Sequence, residues 1–125
     1  MNTKRHKHIE WRVGTSGWSY DSWIGIFYPE TLKQEEWLHF YAEHFDSVEI
    51  NNSFYHLITR EQVARWQGQV GPDFLFAMKG SRYITHMKRL KNVAEPLARF
   101  MQPIARKRKV GPLVFQLPPK FPKDL

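Results

Sequence analysis

Short apolar runs alternate along this chain with longer segments in which apolar residues recur at helical spacing. The runs predict four strands, at residues 11–15, 47–50, 74–78 and 113–117. The segments between them predict three helices, at residues 34–45, 59–68 and 92–104. Strands that alternate with helices in this way form a parallel sheet, so the predicted fold class is α/β.

The number of strands suggests an incomplete architecture. Alternating strands and helices build either a doubly wound sheet or a (β/α)8 barrel of about 250 residues. Four such units in 125 residues amount to half of a barrel. We therefore expect a partial TIM-barrel domain over residues 11–125, truncated after the fourth strand, preceded by a basic and disordered tail over residues 1–10.

Several local signals set the predicted helix ends. Thr59 and Gln62 have the spacing of a capping box, and Asn92 with Glu95 is predicted to cap the third helix. Pro103 lies inside the third helical pattern and should kink or end that helix, because proline lacks a backbone donor and crowds the preceding turn. The following Gly-Pro pair, 111–112, is expected to introduce the fourth strand.

Composition agrees with one globular domain. Hydrophobic residues make up 42% of the chain and aromatic residues 15%, which is unlike a disordered protein. The absence of cysteine excludes disulfides and thiolate metal sites, and it fits a reducing compartment. No apolar run approaches the length needed to cross a bilayer. We therefore expect a cytoplasmic protein that makes no contact with a membrane.

The net charge of +7 arises from two short basic clusters. Three of the charges are Lys4, Arg5 and Lys7, and four form the run Arg106, Lys107, Arg108 and Lys109. The other 12 basic residues balance the 12 acidic ones. Such clusters can contact nucleic acid, but a basic run at the end of a helix is more often a solvated helix end that interacts favourably with the helix dipole.

Polar side chains are predicted to gather at one rim, because ligands in parallel α/β folds bind at the carboxyl ends of the strands. The candidate catalytic residues are Glu49, Lys79 and His86. The candidate ligand-binding residues are Ser16, Trp18, Tyr20, Asn51, Tyr55, Arg82, Thr85 and Gln116. A carboxylate, an ammonium group, an imidazole and several amides on one rim can perform acid–base chemistry or hold an anion or a metal.

Each candidate also has an alternative interpretation. Glu49 can serve as an acid–base group or metal ligand, or it can form a buried ion pair with Lys79. Lys79 is also a weak candidate for a Schiff base. His86 can transfer a proton or bind a metal. The aromatic loop 18–28 can stack on a base or sugar ring, although packing over the end of the sheet is the more common role of such loops.

Familiar catalytic motifs are missing. The segment Gly14-Thr15-Ser16-Gly17-Trp18 is similar to a nucleophile elbow but has Trp18 where that motif requires a second glycine after the serine. The sequence contains neither a dinucleotide-binding glycine pattern nor a phosphate-loop lysine motif, and it has no paired zinc-binding histidines. The sequence therefore identifies no cofactor and does not specify a metal.

Four ordered segments, GTSGWSYDSWIGIFYP, VEINNSFY, FLFAMKGSRYITH and GPLVFQLPP, resemble the YecE-like family, also called the domain of unknown function 72. The resemblance extends over nearly everything after Trp11. It implies the N-terminal part of a TIM-barrel-type domain and no established activity. Members are about twice as long as this chain, so the resemblance also implies that strands five to eight are missing here.

Three functional interpretations remain open. In the first, the full domain binds a polar or phosphorylated ligand at the carboxyl rim, as a metal- or acid–base-assisted hydrolase. In the second, the chain is a truncated and catalytically silent product. In the third, it is a basic nucleic-acid-binding module. The open sheet edges of half a barrel further suggest pairing with a second copy of the chain or with a separate C-terminal half.

Overall fold

A four-stranded parallel sheet forms the centre of the molecule. In the computed structural model, which describes residues 8–123, the strands are β1 (Gly14–Ser16), β2 (Ser47–Ile50), β3 (Leu75–Lys79) and β4 (Val110–Val114). They lie in the order β1-β2-β3-β4, and each pairs in parallel with the next in sequence. The α/β fold class is confirmed. The predicted tail lies mostly outside the described residues.

Four α-helices alternate with these strands. They are α1 (Trp37–His44), α2 (Asn52–Tyr55), α3 (Arg60–Gln67) and α4 (Ala94–Met101). Two 3-10 helices, Asp21–Trp23 and Gln34–Glu36, and one π-helix, Tyr83–Met87, complete the described elements. The sequence predicted α1, α3 and α4 but missed the four-residue α2 and the π-helix, because one turn of helix is too short to show a periodic pattern.

The capping box of α3 is present as the sequence predicts. The Thr59 hydroxyl accepts a hydrogen bond from the Gln62 N–H at 3.1 Å, and the Gln62 side-chain oxygen accepts one from the Thr59 N–H at 2.9 Å. These bonds satisfy two of the backbone donors that a helix start otherwise leaves without partners. The helix therefore begins where the sequence places it.

The predicted cap of the third helix is wrong. Helix α4 begins at Ala94, with Val93 as its N-cap and no side-chain cap. Asn92 instead has a φ of 51°, in the left-handed region that asparagine tolerates better than most residues. Asn92 lies in a bend before the helix. The predicted stop near Pro103 is confirmed, since α4 ends at Met101.

Two strand boundaries also differ from prediction. β1 starts at Gly14, three residues later than expected, and Trp11 and Val13 are exposed. β4 starts at Val110 and contains Gly111 and Pro112, which the sequence suggested would precede it. The register with β3 shifts between Phe76 and Met78, so the β4 segment carries an extra residue. A bulge of this kind accommodates a proline, which cannot donate to the ladder.

All the covering helices lie on one face of the sheet. Right-handed connections between neighbouring parallel strands place each helix on the same side when the strand order follows the sequence. The burial pattern agrees: Val48, Ile50, Phe76 and Met78 are each at most 2% exposed. The intervening residues of β2 and β3 are only half-buried. We call this opposite side of the sheet the uncovered face.

Tyr41 of α1 connects β1 and β2 by hydrogen bonds from the helix-covered side of the sheet. Its hydroxyl donates to the Ser47 carbonyl of β2 at 2.8 Å and accepts from the Thr15 N–H of β1 at the same distance. The Thr15 hydroxyl lies 3.0 Å away. Tyr41 is fully buried, and this burial raises the pKa of its phenol above the ordinary value. The phenol therefore remains a neutral donor and acceptor.

Tyr41→Phe tests this junction. Removing the hydroxyl leaves the Thr15 N–H and the Ser47 carbonyl without that partner, which should lower the free energy of unfolding by about 1–3 kcal/mol. Urea unfolding followed by circular dichroism measures the change. Tyr83→Phe is the control, because Tyr83 is 46% exposed and its hydroxyl makes no side-chain hydrogen bond among the described residues. Equal midpoints for the two variants would contradict the assigned role of Tyr41.

Candidate functional site

A hydrogen-bonded cluster lies at the carboxyl ends of β1 and β2. Ser16 and Glu49 are register partners, and the Ser16 hydroxyl donates to Glu49 Oε1 at 3.2 Å. The Asn51 amide group donates to the Ser16 hydroxyl. The next N–H of the chain, that of Gly17, donates to the Glu49 carbonyl at 2.8 Å. The backbone and side chains thus fix three polar groups at one point of the rim.

Glu49 and Lys79 both belong to the uncovered face. Glu49 alternates with the buried Val48 and Ile50, and Lys79 follows the buried Met78. No ion pair joins Glu49 to Lys79, so that alternative interpretation of the sequence is wrong. The Lys79 ammonium instead lies 4.6 Å from the centroid of the Phe54 ring, a cation–π contact. This leaves its N–H groups available to a ligand.

His86 approaches the same aromatic ring from another element. It belongs to the π-helix, and its ring meets Phe54 edge to face with centroids 5.2 Å apart. Its Nδ1 lies 2.7 Å from the hydroxyl of the fully buried Thr85. Phe54 therefore lies between Lys79 and His86, a role that sequence reasoning missed. Its place in the VEINNSFY segment was the available signal.

The three candidate catalytic residues thus form two neighbouring groups. Glu49 belongs to the Ser16–Asn51 cluster, whereas Lys79 and His86 share Phe54. The buried Ser53 hydroxyl connects β2 and β3, because its oxygen lies 2.5 Å from the Lys79 carbonyl oxygen and 2.9 Å from that of Ile50, and its one hydrogen is shared between these two acceptors. The structure places the two groups on adjacent strand ends.

Of the other predicted ligand-binding residues, some contact the cluster and others lie elsewhere. The Tyr20 hydroxyl donates to the Ser16 carbonyl, so Tyr20 touches the cluster directly. Tyr55 is 69% exposed, and Arg82 is also exposed. Gln116 follows β4, which ends at Val114, so its predicted place within the fourth strand is wrong. The sequence predicts that the fourth strand extends to Leu117, whereas pairing with β3 ends at Val114.

The aromatic loop 18–28 packs mainly on the molecule itself. Tyr28 is 1% exposed and stacks on Trp37, with centroids 4.8 Å apart and planes 5° from parallel. Its hydroxyl donates to the Trp18 carbonyl at 2.5 Å, and burial raises the pKa of this phenol well above its ordinary value. Trp23 and Phe27 pack against the same core. The packing interpretation is confirmed for Trp23, Phe27 and Tyr28.

The described residues include neither a metal-binding group of side chains nor a membrane-spanning helix. Within residues 8–123, no three histidine, aspartate or glutamate side chains lie close enough together to hold a metal ion. No helix in this part of the chain is both long and apolar enough to cross a membrane.

The basic run near β4 has a partly structural role. The Lys109 ammonium donates to the Gln67 and Val70 carbonyls at 2.8 and 2.9 Å, where the end of α3 leaves carbonyls without helical partners. Arg106, Lys107 and Arg108 are exposed. Nucleic-acid binding by these three side chains stays a prediction. The other cluster, Lys4, Arg5 and Lys7, lies outside the described residues.

The sequence as a whole matches a family model described as "Protein of unknown function DUF72", over residues 12–125. The chain belongs to the DUF72 family. Among curated proteins, it is 32% identical to YecE of Escherichia coli K12 over 117 residues. This match covers 90% of this chain and 40% of YecE. YunF of Bacillus subtilis is 26% identical over 117 residues, covering 87% of this chain and 40% of YunF. The chain therefore spans about 40% of the length of these relatives.

Solved structures of DUF72 proteins share the fold. A DUF72 family protein from Thermotoga maritima superimposes with a TM-score of 0.70 at 30% identity, covering 86% of this chain and 44% of that one. A second, from Enterococcus faecalis, gives a TM-score of 0.67 at 24% identity, covering 90% of this chain and 42% of that one. The predicted resemblance and the α/β half-domain are confirmed. This chain therefore spans less than half of either solved chain.

Proposed function

We propose that the carboxyl rim of this DUF72 chain forms part of a binding site for a polar, phosphorylated ligand. The observation that carries the proposal is the position of Lys79, whose ammonium makes no ion pair with Glu49 and lies on the uncovered face beside the Ser16–Glu49–Asn51 cluster. A phosphate needs cationic and neutral donors together. Lys79 supplies the charge, and the second amide hydrogen of Asn51 supplies a neutral donor.

The same arrangement supports hydrolysis of a phosphate ester as the reaction. Lys79 and Arg82, which follows it by three residues in the chain, would hold the phosphoryl oxygens. Glu49 would take a proton from the attacking water as that oxygen bonds to phosphorus. The ester P–O bond would break, and His86, held at Nδ1 by the Thr85 hydroxyl, would give a proton to the leaving oxygen. Because the chain spans about 40% of its relatives, other groups of a longer DUF72 domain would complete this site.

Lys79→Met tests the anion site. The apolar stem is kept and the charge is removed, so glucose 6-phosphate should bind at least about tenfold more weakly, since a hydrogen bond to a charged group contributes about 1.5–3 kcal/mol. Calorimetric titration at low salt measures the change. Lys91→Met is the control, because Lys91 is exposed and lies outside the cluster. Equal affinities of the two variants, or the lack of saturable binding to the original chain, would refute the proposal.

A further inference from the structure

A second concavity lies on the helix-covered side of the sheet, between the loop after β1 and helix α3. Its volume is about 400 Å³, within the roughly 300–1,000 Å³ typical of small-molecule sites. Leu38 and Ile50 form apolar parts of its wall. Every residue that lines it lies between positions 17 and 69, and the cleft shares Asn51 with the Ser16–Glu49–Asn51 cluster. We call it the helix-side cleft.

Five carboxamide side chains line the helix-side cleft: Gln34, Asn51, Asn52, Gln62 and Gln69. Asn51 and Gln62 have polar atoms without a hydrogen-bond partner among the described residues. Asn51 Oδ1 is buried and has no hydrogen-bond partner, although the amide nitrogen of the same side chain donates to Ser16. Gln62 uses its oxygen in the capping box and keeps both amide hydrogens free. A buried acceptor without a partner is costly. The carboxamides of the lining therefore include an acceptor and donors that have no hydrogen-bond partner among the described residues.

Two aromatic residues border the same cleft. Trp18 and Trp66 meet edge to face with centroids 5.7 Å apart, and both are only half-buried. Half-buried tryptophan offers a broad apolar surface beside polar groups. The charged residues of the lining, Glu35 and Arg65, are exposed, have opposite signs and do not pair with each other. The lining is therefore neutral overall and has no concentration of positive charge for an anion.

We propose that the helix-side cleft binds a neutral saccharide, with one pyranose ring as the recognised unit. Sugar hydroxyls both donate and accept hydrogen bonds, which matches a lining rich in carboxamides. The C–H groups of a pyranose ring pack on an indole surface, and the vicinal hydroxyls suit the forked groups of Glu35 and Arg65. This inference does not rest on the phosphate site, because Lys79, which supplies the charge of that site, is absent from the lining and only Asn51 belongs to both.

Ligand titrations of the 125-residue chain test the inference. The probes are methyl α-D-glucopyranoside and methyl β-D-galactopyranoside, with glucose 6-phosphate and L-serine as the anionic and zwitterionic comparisons. Tryptophan fluorescence and saturation-transfer NMR report binding. Gln69→Leu and Arg65→Met should each weaken glycoside binding about tenfold, the effect of losing roughly 1.4 kcal/mol. Arg60→Met is the matched control, since Arg60 lies on the same helix, is exposed and lies outside the cleft.

The outcomes separate the possibilities. Saturable binding of a neutral glycoside that weakens in Gln69→Leu and Arg65→Met, and is unchanged in Arg60→Met and Lys79→Met, supports the proposal. The lack of saturable binding to either glycoside overturns it. Tighter binding of glucose 6-phosphate or L-serine than of either glycoside, if Arg65→Met weakens that binding, also overturns it. Thermal melting of each variant by circular dichroism confirms that the fold is intact. A Lys79→Met variant that loses glucose 6-phosphate binding but still binds the glycosides would support both the proposed function and this inference.

Discussion

Gly14→Ala is expected to separate β1 from the rest of the sheet. A β-carbon placed on Gly14 would lie 2.0 Å from the Ser47 carbonyl oxygen and 2.6 Å from its carbon. These are backbone atoms of the neighbouring strand, so no side-chain rotation relieves the overlap. Forcing extra volume into a packed region costs about 1–3 kcal/mol, and more where the backbone must move. We expect a loss of at least about 3 kcal/mol, a large fraction of a typical domain's stability of about 5–15 kcal/mol.

Gly71→Ala is the matched control. A β-carbon on Gly71 meets no atom within 4 Å, so this variant should unfold within about 0.5 kcal/mol of the original chain. Urea unfolding of both proteins measures the difference. Displacing β1 would also carry Ser16 away from Glu49, so Gly14→Ala should lose phosphate binding at urea concentrations that Gly71→Ala tolerates. Similar unfolding midpoints would show that the close approach of β1 and β2 is not required.

The purified 125-residue chain is expected to associate in solution through its uncovered sheet face. Val114 is 39% exposed on this face, and the outer strands β1 and β4 each have one side without a strand neighbour among the described residues. A second copy fits both features, because a two-fold arrangement pairs β4 of each chain with β1 of the other and continues the parallel order through eight strands. Each 100 Å² of apolar surface covered contributes about 2.5 kcal/mol.

Sedimentation velocity over a range of concentrations measures this association. Val114→Lys places a charge on the uncovered face and should raise the dimer dissociation constant at least about tenfold, whereas Ile26→Lys should not. Ile26 is the matched control, since it is 87% exposed and lies in the loop before α1. A compact monomer at all concentrations would contradict the expectation. So would larger aggregates unaffected by Val114→Lys, or association only with a separately made C-terminal half.

The parts of the fold that the sequence predicted well have short-range causes. β2 matches its predicted limits because Val48 and Ile50 alternate with polar residues, and α3 begins as predicted because Thr59 and Gln62 are near neighbours in the chain. β4 was misplaced because Gly111 and Pro112 normally indicate a turn. Their acceptance in a strand depends on a bulge against β3, which is a property of the pairing and cannot be read from either segment alone.

In the candidate site, too, short-range patterns predicted some features, and others depend on contacts between distant segments. The sequence predicts that Glu49 and Lys79 share one rim, and in the structure each follows a buried residue of its strand, so both belong to the uncovered face. Whether the two side chains pair depends on Phe54, which lies in a helix of one turn and attracts the Lys79 ammonium. The helix-side cleft was missed for a related reason. Its wall combines α3 with the loop after β1, two segments about 45 residues apart in the sequence.

The strand order has a consequence for the order of folding. Gly14 pairs with Ser47, Ser47 with Leu75, and Phe76 with Val110, so each strand pairing closes a loop of about 30 residues. The entropy lost on closing a loop changes by only about 0.6 kcal/mol for each doubling of its length, so the three closures are nearly equal in cost. Topology therefore favours none of them as a starting point. The nucleus must be selected by the side chains, and the fully buried residues of the four strands are Val48, Ile50, Phe76 and Met78, which all belong to the pairing of β2 with β3.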